Sequence, residues 1–291
     1  MSNRFAAIVA VLIGAIAWTG QSSAQSKAES SAKDETGFTS YVEFGGTTNS
    51  TGQVYEIDSS AGYSFTRHFG MDFGIPVYFV NPSSSTGGAS NSGVGNPSVD
   101  LRWKYPNPAL NYATVLTGSA PLGDKSLGLS TGHATFDWTN HFDHAFNQVT
   151  PFFEAGFSNT TADSRLFVRP YTSYGLNTHF RGGAEVDIWR FISVGAAGYD
   201  IAPFGNQTVF SRVVGNSAAT AGAGHGRSFN AGHETTGTSS IAADDGFSAW
   251  VDARLNKYTD AELGYTRSVY YDLNSVSFSI GFNVGRLLRA R

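Results

Sequence analysis

The sequence predicts a closed antiparallel transmembrane β-barrel of about 12 strands. Three observations carry that expectation. Apolar and polar residues alternate with a period of two along most of the chain, as they do in a strand with one apolar and one wet face. Only 14% of the 291 residues are charged, against roughly 25% in ordinary soluble domains. After the first two dozen residues no apolar run approaches the length of a spanning helix. A membrane chain without such helices must cross with strands, because hydrocarbon offers backbone polar groups no other partner.

The beginning of the chain sets the compartment. Arg4 precedes an apolar run over residues 5–18, and small polar residues follow, ending Ser22-Ser23-Ala24. This reads as a cleavable secretory signal covering residues 1–24, since the run is shorter than the roughly 20 residues a spanning helix needs. Residues 25–36 read as a polar periplasmic tail, with folding into the lumen as a plug as the other option. The barrel is expected over residues 37–284 and a short C-terminal tail over 285–291. Without the signal the chain has 18 Lys+Arg against 23 Asp+Glu, a net charge of −5, which argues against nucleic-acid binding. There is no cysteine, so an exported protein must be held by something other than disulfides, and a closed ladder of hydrogen bonds serves. The expected location is the outer membrane. The expected partners are outer-membrane lipid, the barrel assembly machinery and a small-molecule permeant of unknown identity.

Individual strands follow from parity. Tyr55, Ile57, Ala61, Tyr63 and Phe65 oppose Glu56, Asp58, Ser60, Gly62 and Ser64; Phe69, Met71, Phe73, Ile75, Val77 and Phe79 oppose Gly70, Asp72 and Gly74. The tight link at Arg67-His68 makes these two a hairpin. The pattern recurs around residues 99–105, 134–142, 152–157, 181–188, 247–255, 261–265 and 275–282, with weaker strands near 37–45, 111–120 and 192–200. Twelve is an even number, as such bacterial barrels require. Connections alternate between short ones, near 67–68, 106–110, 143–148, 189–191 and 256–258, and long ones, near 46–52, 81–95, 121–132, 159–173 and 201–245. Short turns then face the periplasm and long loops the outside. Aromatic girdles are expected from Phe69, Tyr105, Trp189, Phe191 and Tyr258 on one side and Phe79, Phe204, Tyr270 and Tyr271 on the other. The competing architecture is a secreted β-sandwich, whose outer face would ordinarily carry more Lys and Glu than this chain offers. Pro76 interrupts a strong strand and removes a ladder donor, so a bulge, or a strand portion above the bilayer, is expected there.

Collecting the inward parity gives candidate lumen-lining residues. The acids are Glu43, Glu56, Asp58, Asp72, Asp100, Asp137, Glu154, Glu185, Asp187, Asp252 and Glu262, and the bases are Arg102, Lys104, Arg181 and Arg254. Such an acid-biased lumen favours cations or neutral molecules, or else its charges simply pair and fill a small barrel. Ser130 and His133 lie close together near a loop, but no third catalytic member is recognisable and sequence neighbours seldom form a triad. The sequence therefore does not read as an enzyme. His141, His144, His225, His233 and the Asp244-Asp245 pair lack metal-ligand spacing, and no cofactor is expected.

Gly123, Asp124, Gly128, Ser130, Thr131 and Gly132, within GSAPLGDKSLGLSTGHATFDW over 118–138, form a loop that resembles one in outer-membrane proteins of the family named for the meta-pathway of phenol degradation. Residues 94–105, VGNPSVDLRWKY, look like the strand that precedes that loop in the same family. The resemblance implies a porin-like barrel that transports or takes up small hydrophobic or aromatic compounds. A structural or adhesive barrel without transport is the alternative. One departure stands out, since Phe282 is followed by nine further residues, whereas barrels of this kind commonly end on an aromatic.

Overall fold

The computed structural model describes residues 36–84, 88–213 and 234–289. The expected signal, nearly all of the expected tail and most of the 216–243 loop lie outside them. The strands are β1 (Gly37–Asn49), β2 (Gly52–Ser64), β3 (Phe69–Gly74), β4 (Val77–Pro82), β5 (Asn91–Val94), β6 (Ser98–Tyr105), β7 (Asn111–Ser119), β8 (Thr135–Asp143) and β9 (Val149–Ser158). They continue as β10 (Tyr171–Tyr174), β11 (Asn177–Trp189), β12 (Ile192–Pro203), β13 (Gln207–Ser211), β14 (Glu234–Gly237), β15 (Asp244–Arg254), β16 (Thr259–Ser268) and β17 (Leu273–Asn283). A short helix, α1 (Val284–Arg289), ends the described chain.

Neighbouring strands pair antiparallel, and β1 pairs with both β2 and β17, so the sheet closes on itself. β3 with β4, and β5 with β6, act as single interrupted staves, which makes a closed barrel of 12. Closure matters because an open edge in lipid would leave a row of backbone groups unbonded. The side chains obey the alternation read from the sequence. Leu263, Tyr265, Val276, Ile280, Phe282, Leu101, Trp103 and Phe157 are exposed on the outside, whereas Glu262, Ser275, Ser277, Ser279 and Arg102 are buried on the inside. Polar groups on the oily face find partners there too: Trp138 Nε1 donates to Thr114 Oγ1 at 2.9 Å and the Tyr112 hydroxyl to Asn140 Oδ1 at 2.7 Å.

Pro76 breaks the ladder without shifting it on one side. Ser60 faces Gly74 and Ile57 faces Val77, so β2 keeps one register across the break, and Ile75 N still donates to Ser59 O at 2.8 Å. On the other side Gly74 faces Ser98 but Val77 faces Val94: three steps along one stave against four along the other. The extra residue sits in the Gly95-Asn96-Pro97 stretch, so the bulge falls on the partner of the proline-bearing strand. The missing Pro76 donor is thereby tolerated, and Pro76 O instead accepts from Gly95 N at 2.8 Å.

Three expectations are corrected. The 46–52 loop is a two-residue hairpin link at 50–51, closed by Asn49 Oδ1 accepting from Thr51 N at 2.9 Å. The 159–173 stretch is not an external loop; much of it turns into the barrel, as described below. Tyr271 does not belong to a girdle but packs with Tyr171, Val209 and Ala242 beneath the outer loops, while the Tyr270 hydroxyl bonds Ser240 O. After the last strand, α1 brings Gly285 close to Ser40 of β1 and leaves Leu287 and Leu288 exposed. Apart from the barrel sheet, β10, β13 and β14 form a separate three-stranded sheet.

Leu263 lies in the middle of β16 on the exposed face. Leu263→Arg is expected to lower stability in lipid by about 2–4 kcal/mol, as charged residues do at the midplane of a barrel's lipid face. Urea unfolding in vesicles measures it, and Asn274→Arg, near the outer end of β17, serves as the low-cost control.

Candidate functional site

The inner wall has two unlike halves. On β15, β16, β17 and β1 the inward residues are mostly small: Ser248, Gly264, Thr266, Ser275, Ser277, Ser279, Gly281, Gly45 and Thr47. On β6, β8, β9 and β11 they include Arg102, Lys104, Asp137, His141, Glu154, His179 and Arg181. Large inward rings lie flat over glycines of the neighbouring strand, Trp250 over Gly195, His179 over Gly156 and Tyr41 over Gly281, where any Cβ would collide with them. The small half leaves room, and a segment of the chain takes it.

That segment runs between β9 and β10. Ser164 and Phe167 exchange backbone hydrogen bonds of 3.1 and 2.9 Å, so Arg165 and Leu166 form the tip of a finger. Arg165 Nε donates to Ser279 Oγ at 2.6 Å and lies 3.1 Å from Glu43 Oε2; Nη1 lies 3.4 Å from Glu262 Oε2, and Nη2 pairs with Asp260. Asp260 also accepts from the Tyr41 hydroxyl at 2.8 Å. Leu166 packs with Trp250, Ala197 and Phe152. Further along, Val168 N donates to Thr47 Oγ1 at 2.9 Å, and Arg169 Nη1 bonds Asp244 Oδ2 at 2.6 Å. A third arginine, Arg212, comes from the loop after β13, pairs with Asp163 Oδ2 at 2.7 Å and lies over the Tyr78 ring.

The finger takes up part of the lumen and leaves open space beside it. A cavity of about 940 Å³ remains, bordered by the finger itself, by Arg67, His68 and Arg286 at the short-turn end and by Asn96, Ser130 and Thr160 toward the outer loops. Of the residues predicted to line the lumen, Glu43, Glu56, Asp58, Asp72, Asp100, Arg102, Lys104, Asp137, Glu154 and Arg181 border it. Asp187, Asp252 and Arg254 instead line a small separate recess with Trp189 and Asp260 at the short-turn rim. Glu185 and Glu262 are buried and border neither space, Glu262 because the finger covers it. Within the cavity wall Asp72 pairs with Arg102, and Glu154 is held from two sides, by His141 Nδ1 at 3.0 Å from its Oε1 and by Arg181 Nη1 at 3.4 Å from its Oε2. Arg181 also lies over the rings of Phe152 and Trp250.

Sequence reasoning missed His179, Asp260 and the three loop arginines. Parity could have found the first two, since His179 shares a face with Arg181 and Asp260 with Glu262. Nothing periodic marks an arginine in a loop as inward. Asp244 accepts from Ser268 Oγ at 2.5 Å as well as from Arg169, so its partners are protein groups. Among the described residues no group of three or more His, Asp or Glu is placed to hold a metal ion.

The 123–132 loop serves architecture. Asp124 Oδ1 accepts from Ser126 N at 2.8 Å and caps a 3-10 turn over Lys125–Leu127, and the Ser126 hydroxyl, with its amide, holds the Asp124 carboxyl below the usual range. Gly128, at φ 67°, ends that turn, and a Cβ there would collide with the backbone of Ser211. Leu129 then reaches a buried cluster with Val54, Tyr78, Val80, Val168 and Val213. Gly123 approaches the backbones of Leu129 and Val94 too closely for a side chain. Ser130 Oγ accepts from Gly132 N at 3.0 Å, Thr131 Oγ1 donates to His133 O at 3.0 Å, and the His133 ring stacks on Tyr174. The loop therefore clamps the outer ends of the segments that carry Val168 and Arg212.

No family model matches the chain, and no curated protein sequence does. Solved structures do resemble it. An outer membrane channel from Pseudomonas putida F1 is similar with a TM-score of 0.55 at 9% identity, over 85% of this chain and 95% of that one. The KdgM porin, solved in complex with disordered oligogalacturonate, gives 0.49 at 5% identity, over 83% and 98%. At 9% identity the likeness to the Pseudomonas channel is one of fold.

Gly128→Ala places a methyl group against Ser211 at a left-handed backbone position. It is expected to cost about 1–3 kcal/mol of local stability. Faster amide exchange in 123–132 and in the segment ending at Val213, with the barrel strands unchanged, is the readout.

Proposed function

We propose that this chain resides in the outer membrane as a channel, passing small molecules along the open part of its lumen. The observation that carries the reading is the cavity of about 940 Å³ reaching from the short-turn rim to the outer loops. Its walls present Thr117, Thr139, Ser98 and carboxylates, so a solute that makes hydrogen bonds loses less on entry than a wholly apolar one. The meta-pathway resemblance of the 123–132 loop supports aromatic compounds as permeants, and phenol-like molecules, with a ring and a hydroxyl, meet both demands.

Charge sets the preference among ions. Arg165, Arg169 and Arg212 are each engaged by carboxylates, whereas Glu56, Asp58 and Asp100 form no ion pair among the described residues and border the cavity. Cations and neutral molecules are favoured over anions. A second reading, an adhesive barrel, is favoured by the sheet of β10, β13 and β14, built apart from the barrel sheet. Planar bilayers in a salt gradient separate the readings. The channel predicts cation-preferring conductance that falls several-fold in selectivity in Glu56→Gln/Asp58→Asn/Asp100→Asn. Anion preference would contradict the charge argument, and absence of conductance would favour adhesion.

A further inference from the structure

The Arg165 socket holds more acid than its occupant needs. Three carboxylates, from Glu43, Asp260 and Glu262, surround one guanidinium. A buried arginine is matched by one well-placed carboxylate, and each additional buried acid is a cost unless a further cation reaches it. Beside the socket lies an apolar notch: Gly264 leaves space that Leu166 fills, a Cβ there falling 2.6 Å from Leu166 Cδ2, with Trp250, Ala197 and Phe152 around it. The notch is imperfectly filled in chemical terms. Ser277 Oγ lies at its floor, where that same Cβ would fall 2.6 Å from it, yet it is buried without a hydrogen-bond partner among the described residues. An isobutyl group cannot satisfy a hydroxyl.

We propose that this part of the inner wall is a binding site for a small molecule that joins a guanidinium or ammonium group to a short, partly apolar body bearing a hydrogen-bonding group, and that the Arg165–Leu166 tip is its tethered stand-in. The cation enters among Glu43, Asp260 and Glu262, the apolar part lies against Trp250 and Phe152, and the polar group meets Ser277. The tip competes from within the chain. Tethering gives it a local concentration in the millimolar range, so a free ligand displaces it at comparable concentration. The inference rests on the channel reading in taking the ligand to arrive along the lumen. Binding is therefore measured in detergent, where a failure of transport does not affect it.

The probe is acetyl-arginyl-leucine amide, with acetyl-glutamyl-leucine amide as control, titrated calorimetrically into the full chain. Arg165→Ala/Leu166→Ala empties the site and is expected to bind the arginyl probe at least about tenfold more tightly than the unmodified chain does. Adding Glu262→Gln is expected to weaken that binding about tenfold, the usual weight of one charge-assisted contact. No binding by the emptied variant, equal binding of the acidic control, or indifference to Glu262→Gln would overturn the proposal. Should the emptied variant not fold, the unmodified chain decides it. Millimolar arginyl probe is expected to speed amide exchange across 159–170 as the tip is displaced, and unchanged exchange at that concentration overturns the proposal equally.

Discussion

A strand in hydrocarbon has no water to bond, so each of its backbone amides and carbonyls must find another strand. The pairing of β1 with β17 meets that demand at the last open edge, and the rest of the structure follows from it. Once the sheet is closed, side chains on one parity meet lipid and those on the other meet an enclosed space. The 12 staves fix how large that space is, and composition of the inward parity decides how it is filled.

Here the inward parity divides the space unequally. Serines, threonines and glycines on β15–β17 and β1 leave a trough, and the finger between β9 and β10 lies in it. Its hold is electrostatic as much as apolar. Arg165 and Arg169 are buried, and taking away one partner of such a pair costs about 3–5 kcal/mol because the other charge is left without compensation. The finger is thus firmly seated under ordinary conditions, and the passage that remains runs beside it, bordered by inward residues of β1, β2, β6, β8, β9 and β11. The 123–132 loop fastens the same arrangement from outside, through Leu129 and the backbone of Gly128.

Much of the barrel was legible because a strand writes its environment into a two-residue period. Val276, Phe278, Ile280 and Phe282 against Ser275, Ser277, Ser279 and Gly281 leave one choice of inside and outside, and Pro76 announced an irregularity that the structure places across the ladder at Gly95–Pro97. What the period could not say is which polar faces meet water and which meet other protein. Ser275 and Ser277 look like wet lumen residues but are covered, because the covering segment is a loop with no period of its own. Asp187, Asp252 and Arg254 share the inward parity but border a rim recess and not the larger cavity. Tyr271 read as a girdle residue because its place beside an outer turn was visible and the sheet of β10, β13 and β14 above it was not.

The central claim, that alternate residues face acyl chains and an enclosed lumen, is tested most directly on β8, which borders the passage. The chain has no cysteine, so single cysteines at residues 136–142 can each carry a spin label in bilayers. Labels at Phe136, Trp138, Asn140 and Phe142 are predicted to be reached by oxygen, and those at Asp137, Thr139 and His141 by a water-soluble relaxation agent. Accessibility without a two-residue period, or with the two sets exchanged, would contradict the account.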